Sequence, residues 1–381
     1  MKLFGFWDYK NASVRRKTLG FTLVKKRNTH TLLFLALPLL QRKRYITKNI
    51  YGGGTEIVDY AYRFCGILCY QTHHYKRLAT YPSLKANYLL FPSLLAESNL
   101  LQKLESLAKD MPQESKDLAY TIVSRELQAY HNPLQRYYAL TQQELAALET
   151  LAHNFYAKIL PLSPDLCYYN GYFLPESHLE CSVFFYKHGL HTLRHLDRLR
   201  DKDIIDVGGY IGDSALIFQD YTQKSIHCFE ASKSTYQKLL TTLRLNNATR
   251  IIPINKALGA QEEKLTLNLY GGGSSLVFAT HSLGSEEVEV ITLDSYVQQH
   301  NIQVGFIKVD IEGFEMEFLK GAKHTICTQK PAMLISIYHQ ASDFFDIKPL
   351  LESWDLGYKF HLYKPFDDTI SVETALFCEM P

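Results

Sequence analysis

The stretch Asp203–Ser214 constrains the fold of this chain more than any other segment. It begins as an apolar, β-type run, passes through three glycines and reaches a helix start marked by Asp213. A strand that turns through glycines into a helix forms a cradle for a nucleotide-like ligand, because backbone N–H groups there point towards the ligand. The dinucleotide fingerprint G-x-G-x-x-G would need glycines where Tyr210 and Asp213 stand. The segment therefore predicts a Rossmann-like site and disfavours NAD as its ligand.

The segments that follow indicate a doubly wound α/β sheet. A second strand ends in Glu230, 18 residues after Gly212, where such sheets place the carboxylate that binds ribose hydroxyls. Further strand-like runs are spaced widely enough for helices between them, at 251–257, 305–310, 334–339, 358–363 and 374–378. This order predicts a mostly parallel sheet with one late antiparallel strand.

Four motifs in the second half of the chain extend this interpretation. They are Asp206–Ser214, Phe229–Ala231, Ile307–Glu315 and Gly321–Ala322. Together they resemble the FkbM family of methyltransferases, from about Cys181 to the C-terminus, although Ala231 stands where the family usually has proline. The resemblance implies a class I (Rossmann-like) methyltransferase sheet, S-adenosylmethionine as methyl donor, and O-methylation of acceptors such as sugars or polyketides.

The chain is predicted to have three parts. Residues 1–48 form a basic and apolar leader, 49–165 an N-terminal helical accessory region, and 166–381 the FkbM-like methyltransferase domain. Periodic leucines predict the helices between 90 and 160, and Thr141 with Glu144 forms a capping box at the start of one of them.

The cysteines indicate a reducing compartment. Their number, seven, is odd, and they are scattered through strand-like and helical segments. Cys65 and Cys69 are interpreted as buried thiols, because no second pair at zinc-site spacing accompanies them. We therefore expect a cytoplasmic protein.

The leader has an unusual charge. Residues 1–48 contain 12 Lys or Arg and one acid, a balance of +11, so the rest of the chain carries −9 if the whole carries +2. The apolar segment 31–40 within it is too short to span a bilayer, which requires about 20 residues. One interpretation is peripheral contact with the anionic inner face of a membrane, and the alternative is a buried element with solvated basic flanks. No nucleic-acid-binding module accompanies the charge, so no nucleic-acid partner is expected.

Seven residues are candidates for binding the cofactor: Asp206, Gly208, Tyr210, Gly212, Asp213, Glu230 and Lys256. Glu230 is expected to bind the ribose. Asp206 is expected to order the amino-acid portion of the ligand, or else to hold the glycine turn. Asp213 lines the pocket or serves only as a helix-start acid. Lys256, or its neighbour Asn255, is expected to border the adenine.

Two residues are candidates for the catalytic step. Asp310 and His339 end neighbouring strands at the rim where the methyl group would be transferred, and either is expected to take the acceptor's proton. A structural or substrate-binding role is the alternative for His339. No metal site is predicted, although Asp310, Glu312 and His339 leave metal dependence open. Gly271–Ser275 is interpreted as a flexible loop near the acceptor.

The sequence thus predicts an S-adenosylmethionine-dependent O-methyltransferase. The expected acceptor is a small molecule or glycan, in particular a sugar of a cell-surface glycan or glycolipid. One alternative is an inert methyltransferase-like scaffold of a membrane-peripheral glycan-assembly complex. The other is an NAD-dependent sugar dehydrogenase or epimerase, which the glycine spacing disfavours.

Overall fold

The computed structural model describes residues 82–381, apart from positions 88–89, 133, 177–178, 271–272 and 279–282, together with the backbone of strands between residues 5 and 77. The chain divides into two compact units, Met1–Pro82 and Ser83–Pro381. This division differs from the predicted boundaries after residues 48 and 165.

The first unit contains a seven-stranded antiparallel sheet whose strands follow one another in sequence order. Its strands are β1 (Gly5–Tyr9), β2 (Ser13–Thr18), β3 (Phe21–Lys26), β4 (Thr29–Phe34), β5 (Leu37–Lys48), β6 (Thr55–Phe64) and β7 (Ile67–Arg77). Because β5 pairs with β6, the sheet crosses the predicted boundary between residues 48 and 49.

The segment 55–77 corrects the prediction of a helical region that begins at residue 49. It forms β6 and β7, and its sequence explains why. Val58, Tyr60, Tyr62 and Phe64 occupy alternate positions, which is the period of a strand and not of a helix. The interpretations of Cys65 and Cys69 and of the side chains in 31–40 fall outside the described residues. Among the residues that are described, no helix has both the length and the hydropathy needed to cross a membrane.

The second unit is a mixed α/β structure. Its strands are β8 (Leu84–Lys85), β9 (Arg136–Tyr137), β10 (Leu160–Ser163), β11 (Leu166–Tyr169), β12 (Tyr172–Leu174), β13 (Asp203–Val207), β14 (Ile226–Phe229), β15 (Ile251–Ile254), β16 (Ala257–Leu258), β17 (Glu263–Tyr270), β18 (Gly273–Ser275), β19 (Gly284–Ile291), β20 (Val304–Val309), β21 (Ala332–Ser336), β22 (Lys359–Tyr363) and β23 (Ala375–Glu379). Its α-helices are α1 (Leu90–Ala96), α2 (Leu100–Ala108), α3 (Gln113–Tyr130), α4 (Gln142–Asn154), α5 (Cys181–Phe184), α6 (Asp213–Phe218), α7 (Lys233–Leu245), α8 (Leu293–His300), α9 (Glu315–Gly321), α10 (Lys323–Gln329) and α11 (Ala341–Glu352).

The central sheet has the order β15-β14-β13-β20-β21-β23-β22. The pairs among its first five strands are parallel, whereas β23 runs antiparallel to both β21 and β22. The predicted mostly parallel α/β sheet with a late antiparallel strand is confirmed. After β13, the chain adds β14 and β15 on one side of that strand and later adds β20 and β21 on its other side. Ligands of such sheets bind at the carboxyl ends of the strands beside this switch point.

Alternating side chains of the strands support a core on each face of this sheet. Ile205 and Ile307 share one apolar cluster with residues of α1–α3 and α8–α11, while Ile204 and Phe306 belong to a second cluster with α4, α6 and α7. The predicted helices therefore exist from Leu90 onward, and the capping box of Thr141 and Glu144 begins α4 as expected. They are part of the same compact unit as the sheet and not a separate region.

Candidate active site

A cavity of about 230 Å³ opens at the carboxyl ends of β13, β14 and β20. Six of the predicted site residues line it: Gly208, Tyr210, Asp213, Glu230, Lys256 and Asp310. The other three, Asp206, Gly212 and His339, are not part of its wall. The position agrees with the general rule for open α/β sheets.

The glycine turn after β13 brings the backbone close to the cavity. Gly208 has φ +79°, and a Cβ at this position would lie 1.8 Å from the carbonyl oxygen of Asp310, so only glycine fits. Gly212 has φ +83° and precedes α6, packed against Leu239 rather than against the cavity. The turn therefore allows β13 and β20 to end side by side.

A buried ion pair fixes this turn. The Lys308 Nζ lies 3.4 Å from Asp206 Oδ1 and donates a hydrogen bond of 2.7 Å to the carbonyl oxygen of Gly208. Burial favours the neutral amine, but the carboxylates of Asp206, Asp310 and Asp213 outweigh it and hold the pKa of Lys308 above its ordinary value. Because Asp206 is fully buried behind the turn, it holds the turn and does not contact the cavity. These contacts are the ones expected of the structural alternative, and a role of Asp206 towards the ligand stays a prediction.

Two buried carboxyl groups lie at the end of the cavity nearest β14. Glu230 Oε1 accepts a hydrogen bond of 2.7 Å from the Ser232 N–H, and Asp213 Oδ1 accepts one of 2.8 Å from the Ser214 N–H. Burial raises the pKa of Glu230 to about 7 and that of Asp213 to about 7. Both groups therefore change charge near neutral pH, and both face the cavity.

The wall beside Glu230 is apolar. Phe229, Ala257, Leu258, Leu267 and Leu276 line it. Leu267 belongs to β17 of a small sheet with the order β16-β19-β17-β18, and Leu276 directly follows β18. Such a slot suits the flat, apolar face of a nucleobase.

The polar groups at the edge of this slot are already paired. The Lys256 Nζ lies 3.0 Å from Glu289 Oε2, so Lys256 borders the cavity with its ammonium engaged. The Asn255 side chain donates to the carbonyl oxygens of Glu230 and Ala231 and thus holds the segment that follows β14. Tyr210 Oη donates to Glu176 Oε2 over 2.9 Å, and Tyr210 has φ +47°.

The opposite end of the cavity is acidic. Asp310, Glu312 and Glu373 line it with Tyr338, whose Oη lies 3.3 Å from Asp310 Oδ1 and 3.2 Å from Glu373 Oε1. Burial raises the pKa of Glu373 to about 8, so at neutral pH this carboxyl group is largely protonated. A protonated Glu373 that donates to Tyr338, which donates in turn to ionised Asp310, satisfies all three groups with two protons.

His339 lies behind this acidic end. It is fully buried, with Nε2 3.3 Å from Asp310 Oδ1 and Nδ1 3.1 Å from Glu315 Oε1. Burial disfavours its charged form, but Glu315, Asp310 and Glu312 outweigh this and raise the pKa of His339 well above its ordinary value. An imidazolium has no free lone pair to accept a proton, and the ring does not reach the cavity. The structure therefore places His339 behind Asp310 and outside the cavity wall, and its role as a base stays a prediction.

Four residues of the cavity were not predicted from the sequence: His188, Glu180, Tyr338 and Glu373. His188 has φ +52°, and its Nε2 lies 2.9 Å from Ser214 Oγ. Burial and the nearby Lys308 lower the pKa of His188 to about 3, so it is a neutral hydrogen-bonding group. His188 lies within the segment 167–191, whose many aromatic residues give no indication of its role.

The described part of the predicted glycine-rich loop, Gly273–Ser275, lies beside the acidic end of the cavity. Gly271 and Gly272 are outside the described residues, whereas Gly273–Ser275 forms β18 and not a loop. Ser274 lines the cavity, and Ser275 Oγ donates 2.8 Å to the carbonyl oxygen of Glu312. Strand β18 therefore supports the backbone of Glu312 at the acidic end.

The sheet order and the cavity define an α/β protein with a Rossmann-like ligand site. Residues 206–360, about two fifths of the chain, match the family described as Methyltransferase FkbM domain. The resemblance noted in the motifs is thus confirmed. Together with the observed sheet, the match confirms the predicted class I methyltransferase fold.

Two curated proteins and one solved structure show how far the similarity extends. Methyltransferase 1 of Beauveria bassiana is 25% identical over 177 residues, which are 40% of this chain and 71% of that protein. The hexuronic acid methyltransferase AglP of Haloferax volcanii is 25% identical over 164 residues, 42% of this chain and 66% of that protein. The crystal structure of Methyltransferase FkbM from Methylobacillus flagellatus has a TM-score of 0.47 and 19% identity, and the alignment covers 73% of this chain and 58% of that one.

Proposed function

We propose that this chain is an S-adenosylmethionine-dependent O-methyltransferase that acts on a hydroxyl group of a sugar, in a cell-surface glycan or glycolipid. The observation that carries the proposal is a single cavity with two different ends. One end offers an apolar slot and Glu230, and the other offers Asp310, Tyr338 and Glu373. The FkbM match supports methyl transfer, and the similarity to a hexuronic acid methyltransferase supports a sugar acceptor.

The residues at the first end fit the cofactor. Glu230 would accept hydrogen bonds from ribose hydroxyls, the apolar wall would hold the adenine, and the turn at Gly208 lets the ligand approach the backbone closely. S-adenosylmethionine supplies an electrophilic methyl group when it is bound. The rest of the chemistry consists of orienting the acceptor oxygen and removing its proton.

The residues at the second end fit the acceptor. Asp310 is ionised and would accept a hydrogen bond from the reacting hydroxyl, which orients the oxygen lone pair towards the methyl group. As the new C–O bond forms and the C–S bond breaks, the hydroxyl proton would pass to a carboxylate. Glu373 would receive it in its ionised form, which is the minor form at neutral pH and becomes more populated as the pH rises towards 8.

A binding titration tests the cofactor assignment. Purified protein titrated calorimetrically with S-adenosylmethionine, and separately with NAD, should bind the first and not the second. Binding of NAD alone would favour the dehydrogenase alternative. Binding of S-adenosylmethionine without methyl transfer to any sugar or uronic acid acceptor would favour the inert scaffold.

Two variants test the acceptor end. Asp310→Asn and Glu373→Gln should each lower turnover by about 100-fold while the affinity for S-adenosylmethionine remains. Glu317→Gln is the matched control, because Glu317 is an exposed carboxylate on α9 that pairs with Lys320. Equal loss of cofactor affinity in the first two variants would place Asp310 and Glu373 in the cofactor site instead.

A further inference from the structure

His339 is surrounded by carboxylates that belong to the strand end and helix after β20. Its Nε2 lies 3.3 Å from Asp310 Oδ1 and 3.6 Å from Glu312 Oε2, and its Nδ1 lies 3.1 Å from Glu315 Oε1. Asp310 and Glu312 line the cavity, while His339 and Glu315 are fully buried directly behind them. A small ion that enters the cavity would reach this cluster.

Several atoms of the cluster lack hydrogen bonds. Within the described part of the chain, neither ring nitrogen of His339 makes one, and neither does Glu315 Oε2. The close approaches to Asp310 and Glu315 are ion-pair distances without hydrogen-bond alignment. Buried polar atoms are normally satisfied, and unpaired ones indicate a missing partner such as an ion.

The charges of the cluster point to a positive partner. Asp310, Glu312 and Glu315 bring three carboxyl groups to one imidazole, so even a protonated His339 would supply only one positive charge to the cluster. The nearest other cation, Lys308, is already engaged with Asp206 and the carbonyl oxygen of Gly208. Carboxylates that share a buried site repel one another unless a cation or a proton lies between them.

We propose that Asp310, Glu315 and His339 bind a divalent metal ion at the acceptor end of the cavity. Each offers one ligand atom, and the three atoms lie within 4.8 Å of one another. Asp310 approaches Nε2 of His339 and Glu315 approaches Nδ1, so the ion would bind one of these nitrogens and the carboxylate at the other would rotate towards it. Two carboxylates and one imidazole suit Mn²⁺ or Zn²⁺.

The role of this ion rests on the proposed function. At the acceptor end, a divalent cation would bind the reacting hydroxyl, lower its pKa and hold its oxygen next to the transferred methyl group. Neutral His339 would then be a ligand and not an imidazolium. A role as a metal ligand would also account for a histidine that is buried where the acceptor cannot contact it.

Manganese binding to the full-length protein tests the site. The protein is freed of metal with a chelator and titrated with Mn²⁺, and free Mn²⁺ is measured by electron paramagnetic resonance. We expect one bound ion per chain, displaced by Zn²⁺, and an affinity at least tenfold weaker in Glu315→Gln and His339→Gln. Glu317→Gln, two residues along the same helix and exposed, should bind Mn²⁺ as the unaltered chain does.

The inference is overturned if the unaltered chain binds neither ion, or if the control loses affinity as much as Glu315→Gln. Circular dichroism monitors folding, and Asp310→Asn at the cavity wall decides the question if the buried variants do not fold. Titration of the same samples with S-adenosylmethionine separates the two proposals. Metal binding without cofactor binding would refute the proposed function alone, and cofactor binding without metal binding would refute only the metal site.

Discussion

Replacement of Glu230 by glutamine should weaken S-adenosylmethionine binding strongly. Glu230 lines the cavity beside the apolar slot, and in the proposed complex its carboxylate would accept hydrogen bonds from two ribose hydroxyls. Hydrogen bonds to a charged group contribute about 1.5–3 kcal/mol each, whereas the neutral amide keeps one acceptor atom and part of that energy. We therefore expect a loss of about 1.5–3 kcal/mol, which corresponds to roughly 10- to 150-fold in affinity.

The same residue should make cofactor affinity depend on pH. Burial raises the pKa of Glu230 to about 7, so the free protein holds a proton there below neutrality. The ribose hydroxyls donate to the ionised form, and the proton therefore competes with the ligand. Affinity should be greatest at about pH 8 and above, and should fall by up to tenfold for each unit below 7.

Isothermal titration calorimetry at several pH values between about 5.5 and 8.5 measures both effects. Asp213 also has a pKa of about 7, so the pH dependence of affinity in the unaltered chain reflects both carboxyl groups. The difference between this pH dependence and that of Glu230→Gln gives the contribution of Glu230. Glu286→Gln is the control, because Glu286 is an exposed carboxylate near the start of α7 that accepts from the Lys233 N–H. If Glu230→Gln binds S-adenosylmethionine as tightly as the control at every pH, the ribose assignment is wrong.

Three further outcomes follow from the same structure. Lys308→Met should lower the free energy of unfolding by about 3–5 kcal/mol in urea denaturation, because it leaves Asp206 buried without its partner. Gly208→Ala should lose both stability and cofactor affinity, since its Cβ would lie 1.8 Å from the Asp310 carbonyl oxygen, and unchanged affinity would contradict this. We also propose that the protein contacts anionic membranes through the basic residues 1–48. The full-length chain should then sediment with anionic vesicles and be released by salt, whereas a chain starting at Ser83 should not sediment.

The parts of the site that were predicted have local sequence signals. The glycine turn, the carboxylate at the end of β14 and the capping box of α4 each depend on residues within a few positions of one another. Glu230 could be placed because the spacing between consecutive strands of such a sheet varies little. The roles assigned to Asp206 and His339 needed more than position, because burial and neighbouring charges decide what each group can do.

His339 illustrates the difference. The ordinary pKa of histidine, about 6.5, makes it a natural candidate for a base. The carboxylates that change this arise from folding, since Glu315 begins α9 and Asp310 ends β20, and both approach the ring only when β20 and β21 lie side by side. The motif that contains these acids was recognised, but their effect on a histidine 24 residues after Glu315 was not a local property.

Four residues of the cavity wall, of which His188 and Glu373 were not predicted, share a backbone feature that the local sequence does not indicate. Tyr210, His188, Glu312 and Glu373 all have positive φ, between +47° and +67°, and all line the one cavity although they come from four separate loops. For residues other than glycine this conformation is unfavourable, and it persists only where surrounding contacts enforce it. Here those contacts are distant in sequence: Ser275 with the Glu312 carbonyl, Ser214 with His188 and Tyr338 with Glu373. Local sequence preference argues against these conformations, so the cavity wall is a property of the assembled sheet and its loops.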